Sequence, residues 1–272
     1  MKYVVTGILI VIAYVVVHVD VVVADRAKRS IPTLSGSYKI PESANPNQSI
    51  NAIWWLSSGA YAYIDNGVAR SVQGRLASHD PWRLIFLASN PIDTDNGYYP
   101  QNIFRLVTRA ETLNYRQEVY VRISRINLSK SPNRNESNGI HLFNRYQDEN
   151  SIYYTGIRVD GFAFIKKKYR GEYSTLASSR LIDSPLYDRT DYPNALPLNQ
   201  WIGVASEIRT LPDGSILIDM FVDRNRSGTW EHVATATDRP TPSNPVISES
   251  GRMGIRTDFM DVEFTDYRVI PL

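Results

Sequence analysis

From Ile53 to the C-terminus, apolar residues recur at every second position in short runs bounded by Gly, Pro, Asn and Asp. That period belongs to strands whose side chains point alternately to two faces, and no run carries the 3.6-residue period of an amphipathic helix. Glu118 to Ile126 reads EVYVRISRI, with Val119, Val121 and Ile123 on one face and Tyr120, Arg122 and Ser124 on the other. Gly139 to Gln147 reads GIHLFNRYQ; after a turn at Asp148-Glu149-Asn150 the chain continues SIYYTGIRV to Val159. Asp160-Gly161 is a two-residue hairpin signal, and FAFIKKKY follows it before Arg170-Gly171 turns the chain again. WIGVASEIR and SILIDMFVD are joined by Pro212-Asp213-Gly214, and GRMGIRT and MDVEFTDYRVI close the chain.

Strands this closely spaced, with polar turns and no crossover helices between them, predict an all-β fold: an antiparallel β-sandwich of the jelly-roll kind. No period of 20–50 residues repeats, which argues against a propeller or solenoid. A single domain over residues 52–272 is large enough to be held by apolar burial alone. It has to be, because none of the 272 residues is cysteine. The same absence removes disulfides, thiolate metal sites and cysteine nucleophiles.

Two segments precede that domain. Tyr3 to Ala24 is almost wholly apolar, and a leader helix of that length is expected. Asp20 and the small residues Val22 and Ala24 before Asp25 fit a removable export signal, whereas Arg26, Lys28 and Arg29 fit the flank of a membrane anchor. Residues 1–24 are accordingly read as signal peptide or anchor, with an extracellular or cell-surface location in either case. The membrane is expected as a partner only through this segment. Residues 25–51, with Pro32, Pro41, Pro46 and many Ser and Asn, read as a linker.

The stretch GIHLFNRYQDENSIYYTGIRVDGFAFIKKKYRGEY from Gly139 to Tyr173 resembles the central hairpins of the concanavalin A-like lectin/glucanase superfamily, in particular its laminarinase-like and keto-disaccharide-hydrolase-like jelly rolls. The closing GRMGIRTDFMDVEFTDYRV is similar to the last strands of the same domains. The resemblance covers roughly residues 53–270 and implies a fold whose members include hydrolases, lyases and non-catalytic sugar binders.

Charge narrows the choice. Residues 102–180 carry 14 basic and 7 acidic side chains, while residues 181–272 carry 8 and 14, so a net charge of +2 conceals a basic set of central strands. By alternation Tyr120 with Arg122, His141 with Phe143 and Arg145, Tyr154 with Arg158, and Lys166 with Lys168 each share a face. If register brings these faces together, the result is an aromatic and cationic surface. It would bind an extracellular, acidic polysaccharide by ring stacking and by paired Arg donors, or be a merely solvated face. Near-neutral net charge and the lack of any nucleic-acid motif speak against DNA or RNA as partner.

For chemistry, the paired carboxylates of a retaining glycosidase strand, in an E-x-D-x-x-E arrangement, are missing, and Glu207 and Asp219 on neighbouring strands read as partners for an arginine. The resemblance also implies polysaccharide lyases, which neutralise a uronate carboxylate and abstract the adjacent proton. Here Arg145 would neutralise, Tyr154 or Tyr146 would act as base and His141 as auxiliary acid/base. A purely structural surface module is the third reading. No cofactor is expected beyond a structural calcium, for which Asp258 and Asp261 are the candidate ligands.

Overall fold

Each run of alternation becomes a strand. The computed structural model describes Leu34 and residues 36–272; the leader at 1–24 lies outside the described residues. One sheet has eight strands in the order β1 (Ser37–Pro41), β3 (Tyr61–Asp65), β4 (Val68–Arg70), β15 (Met260–Pro271), β6 (Tyr115–Ile126), β11 (Trp201–Thr210), β12 (Ile216–Asp223) and β13 (Glu231–Asp238). The other has seven, in the order β10 (Glu172–Arg180), β9 (Phe162–Tyr169), β8 (Ser151–Arg158), β7 (Gly139–Asp148), β14 (Gly251–Asp258), β5 (Ile103–Thr112) and β2 (Trp54–Ser58). All strand pairs within the two sheets are antiparallel. The sheets stack as the jelly-roll sandwich that the alternation predicts.

The inner faces supply one continuous core. Ile140 and Leu142 of β7, Tyr153 and Ile157 of β8, Ala163 and Ile165 of β9, and Met253 and Ile255 of β14 meet Val119 and Val121 of β6, Val204 of β11 and Val262 and Phe264 of β15. Rings cross between the sheets: Trp54 meets Tyr267 edge to face at 4.9 Å, and Phe104 meets Phe264 at 5.5 Å. Two polar knots cross as well. Asn144 accepts from Gln117 at 2.8 Å and from Ser206 at 2.8 Å. Lys167, buried on the inner face of β9, pairs with Asp238 at 2.8 Å, and Tyr153 donates to the same carboxylate. A buried cation is tolerated only with such a partner.

Two features depart from the sequence reading. A helix, α1 (Pro81–Ser89), interrupts the strands; Asp80 caps it by accepting from the Trp82 amide, and Pro81 opens its first turn. Its apolar residues are spread around the axis, so no periodic stripe announces it. The stretch read as linker is, from Ser37 onward, part of the sandwich. β1 pairs with β3 from Ser37↔Asp65 to Pro41↔Tyr61, and Ile40 is fully buried in the core. Pro41 sits at the end of an edge strand and Pro46 in a short turn, where a missing amide donor costs no ladder bond. Ile40→Ala is therefore expected to lower unfolding free energy by about 2–5 kcal/mol, measurable as a shift in urea midpoint, where a linker position would show none.

Candidate functional site

The outer face of the seven-stranded sheet carries the residues that alternate with the core. Register lines them up in rows across the strands. One row runs Arg105 (β5), Arg256 (β14), His141 (β7), Gly156 (β8) and Phe164 (β9). The adjacent row runs Trp55 (β2), Val107, Gly254, Phe143, Tyr154 and Lys166. Gly156 matters to the first row. A Cβ there would lie 2.1 Å from the Ile140 carbonyl oxygen, so any side chain would push β7 and β8 apart. The bare position also lets the His141 and Phe164 rings close to 4.9 Å across it.

Over this floor lies a cleft of about 590 Å³, bordered by Arg105, His141, Tyr154, Phe164, Lys166, Tyr173, Arg256 and Asp258. Its far wall is built by two loops, one after α1 and one between β6 and β7, which contribute Asn90, Asp93, Asn133, Asn135, Ser137 and Asn138. The loops brace each other: Asp93 accepts from Ser131 at 2.6 Å and from Asn133 at 2.9 Å, and Asp95 accepts from Ser129 at 2.6 Å.

The electrostatics are uneven. Arg256 donates to Asp258 at 2.9 Å, and although burial opposes its charge, the Asp258 carboxylate holds the guanidinium protonated and above its ordinary range. Arg105 and Lys166 have no ion-pair partner among the described residues. They stand four strands apart, roughly 19 Å between backbones at 4.8 Å per strand, on opposite sides of the aromatic floor. Burial, with help from Arg158, lowers the Lys166 ammonium from its usual value. Burial also drives His141 down to about 3, although Asp258 opposes this, so the imidazole is neutral at physiological pH.

At the rim the Tyr154 and Tyr173 rings lie 6.2 Å apart. Burial opposes ionisation of both, but the charges of Arg256 and Lys168 outweigh it at Tyr173 and hold that phenol below its ordinary value. At Tyr154 burial prevails and pushes the phenol up to about 12.

Of the sequence candidates, His141, Tyr154, Lys166 and Asp258 line the cleft, and Lys168 flanks it with its ammonium 5.0 Å from the Tyr173 ring centre. Arg158 shares their sheet face but is engaged by Asp160. Arg145 does not belong to the cleft. A bulge between Asn144 and Asp148, with Arg145 at φ +49°, breaks the alternation and turns the side chain into the sandwich. There it donates to the carbonyls of Leu113 at 3.0 Å and Ile247 at 2.9 Å, to Asn114 and to Thr210, leaving nothing for a ligand. Tyr146 lies beside the cleft, stacked on Phe143 at 5.4 Å, and does not border it.

Tyr120 and Arg122 stand on the outer face of the other sheet. Tyr120 donates to Asp223 at 2.8 Å and Arg122 is engaged by Glu263, because β6 pairs with β11 and β15 and not with β7. Asp258 and Asp261 do not converge either. Asp258 faces the cleft, while Asp261 sits in a separate polar knot and accepts from Gln101, Asn127 and the Gly74 amide. No group of three metal-ligating side chains occurs among the described residues. Glu207 and Asp219 do face each other across β11 and β12, and each is taken up by an arginine, Arg116 at 3.0 Å and Arg209 at 3.4 Å.

Sequence reasoning missed Arg105, Arg256 and Tyr173. Arg105 alternates with Phe104 and Leu106, and Arg256 with Ile255 and Thr257, a signal readable only once those strands are known to flank β7. The buried His141 generates a pH dependence of stability. Its folded value of about 3 lies below the ordinary 6.5, so the unfolded chain binds the extra proton between those limits. Stability attributable to His141 is complete above pH 6.5 and falls as pH drops, by up to about 1.4 kcal/mol per pH unit. His141→Gln is expected to remove that component, read as a flatter difference in urea stability between pH 6 and pH 4.

No protein-family model matches the chain, and no curated protein matches it in sequence. Among solved structures it is similar to the carbohydrate binding module CBM66 from Bacillus subtilis, at 12% identity over 79% of this chain and 92% of that one, with a TM-score of 0.48. It is also similar to a β-glucanase from Bacillus licheniformis, at 11% identity over 88% and 99% of the two chains and a TM-score of 0.43. Against the GH43 protein BlXynB from Bacillus licheniformis the identity is 12% and the TM-score 0.41; 76% of this chain aligns, spanning only 34% of that protein. The two stacked antiparallel sheets are the all-β sandwich arrangement that the sequence predicts.

Proposed function

We propose that the cleft on the outer face of the seven-stranded sheet binds an acidic polysaccharide, laid across the strands. The observation that carries this reading is the presence of two cations without an ion-pair partner among the described residues, Arg105 and Lys166, on either side of a floor formed by Phe164, Tyr154 and His141. Ring faces of this kind stack on the apolar faces of sugars, and the half-buried cations meet carboxylates or sulfates along the chain. That solved structures similar in fold include a carbohydrate binding module accords with the reading. With the apolar N-terminal segment read as export signal or anchor, the polymer is extracellular.

Arg105→Ala and Lys166→Ala are each expected to weaken binding of an acidic polysaccharide by about fivefold, or about 1 kcal/mol. Retention on the same polymer should fall as salt shortens the Debye length from about 10 Å at 0.1 M to about 3 Å at 1 M. Equal, salt-insensitive retention on a neutral polymer would refute the anionic reading.

The Tyr154–Tyr173 pair favours a second reading, a lyase acting by β-elimination. A phenol held below its ordinary value beside Arg256 and Lys168 is suited to take the proton next to a uronate carboxylate, which Lys166 or Arg105 would neutralise. This moves the base from the sequence candidates Tyr146 and Tyr154 to Tyr173 and the neutralising role away from Arg145. Rising ultraviolet absorbance of an unsaturated uronate product, lost in Tyr173→Phe, would establish it; a flat trace with retained binding leaves a non-catalytic binder.

A further inference from the structure

Helix α1 turns an uncharged, apolar side to solvent. Pro81, Leu84, Ile85 and Ala88, spaced i, i+3, i+4 and i+7, form one stripe, and all are exposed, Leu84 and Ile85 at 50% each. Leu87 and, just past the helix, Ile92 at 61% widen it. On the inner side Phe86 is buried with Ala60, Val72 and Leu76, and Trp82 packs against them. Arg83, the one charged residue of the helix, lies with its guanidinium 4.6 Å from the Tyr98 ring centre. A surface helix ordinarily gives its apolar stripe to the core and polar residues to water. Here the inner side is anchored and the outer side is still apolar, a pattern that marks a contact surface. We propose that this stripe seats in the headgroup–acyl boundary of a lipid bilayer to which the N-terminal segment tethers the domain. The inference takes Tyr3 to Ala24 as an anchor and is independent of what the cleft binds.

The position of the tether supports a bilayer as the occupant. Leu34 is buried beside the turn at Gly67, and nine residues, 25–33, separate it from Ala24. Those nine span at most about 30 Å. From the same turn β3 runs back to Tyr61 and Ala60, which pack in the α1 cluster, about 17 Å away at 3.4 Å per residue. The tether is long enough to let α1 reach the bilayer and short enough to keep it at high effective concentration there. A second copy is the poorer fit: a strip about 13 Å long and 10 Å across falls well short of the roughly 800 Å² that each partner buries in a stable dimer. Lipid phosphates also suit the flank of the stripe. Arg75 and Arg83 lie against the Tyr98 ring at 3.7 and 4.6 Å and have no ion-pair partner among the described residues. The loop that follows α1 forms a wall of the cleft from Asn90 onward, so a seated domain holds the cleft beside the bilayer.

The absence of cysteine makes the test direct, because one introduced thiol takes a label at one place. The full chain is reconstituted in phosphatidylcholine vesicles with a nitrobenzoxadiazole label at Ile85→Cys or, at the opposite end of the sandwich, at Leu113→Cys. The expected result is a blue-shifted emission at position 85 that nitroxide-bearing lipids quench, with neither effect at position 113. Leu84→Asp should lower the ratio of seated to free domain, read from that quenching, about tenfold. Water-like emission at both positions, or equal quenching at both, would overturn the proposal. A blue shift at position 85 that lipid nitroxides leave unquenched and that grows with protein concentration would assign the stripe to a second copy, and so overturn it too. A chain that does not float with the vesicles removes both tether and seat. Should Ile85→Cys lose its native circular dichroism, the same label at Ile92→Cys decides the question.

Discussion

Every strand has two faces, and in this protein each sheet gives one of them to the other sheet. That sandwich interface, closed by Trp54 against Tyr267, Phe104 against Phe264 and the branched residues of β6, β7, β8 and β11, determines what the opposite faces are free to carry. Because the core uses one alternate set of positions, the other set on the seven-stranded sheet projects as parallel rows. The cleft is the place where those rows combine small and ring-bearing positions with cations, under a wall made by the loops at 90–93 and 133–138.

The chemistry of the cleft follows from its partial exclusion of water. The same burial that keeps His141 neutral strengthens the Arg256–Asp258 pair and raises the Tyr154 phenol, whereas the charges of Arg256 and Lys168 hold the Tyr173 phenol down against it. On the other sheet the arginines are matched by acids: Arg116 by Glu118 and Glu207, Arg122 by Glu263, Arg268 by Glu118. The contrast is informative. Those cations are taken up by fixed partners, whereas Arg105 and Lys166, which have none among the described residues, are available to a ligand.

Much of the site was legible in the alternation, and where it was not, one local event is responsible. His141, Tyr154, Lys166 and Lys168 come to one face as their strands predict. Arg145 would have joined them had β7 remained regular, but the bulge at Asn144–Asp148 places Asn144 and Arg145 both toward the interior, and the guanidinium becomes a brace for the ends of β5, β11 and the loop at 247. A bulge leaves no mark in hydrophobic periodicity when the displaced residue is as polar as its neighbours. Helix α1 escaped for a related reason, being short, apolar on several sides and announced only by Asp80-Pro81.

The sequence by itself determined the class of fold, the strands and their turns, the self-sufficiency of a core without cysteine, and the basic, tyrosine-rich character of β7 to β9. These are local properties, set by the period of two and by residue type. Tertiary structure alone decided that β6 belongs to the opposite sheet, which removes Tyr120 and Arg122 from the cleft, and that β5 and β14 flank β7, which brings in Arg105 and Arg256. It also sent Asp258 and Asp261, three residues apart, to different surroundings across the turn at Phe259. Which strands become neighbours depends on contacts between distant segments, and period-two patterning is the same whichever neighbour a strand acquires.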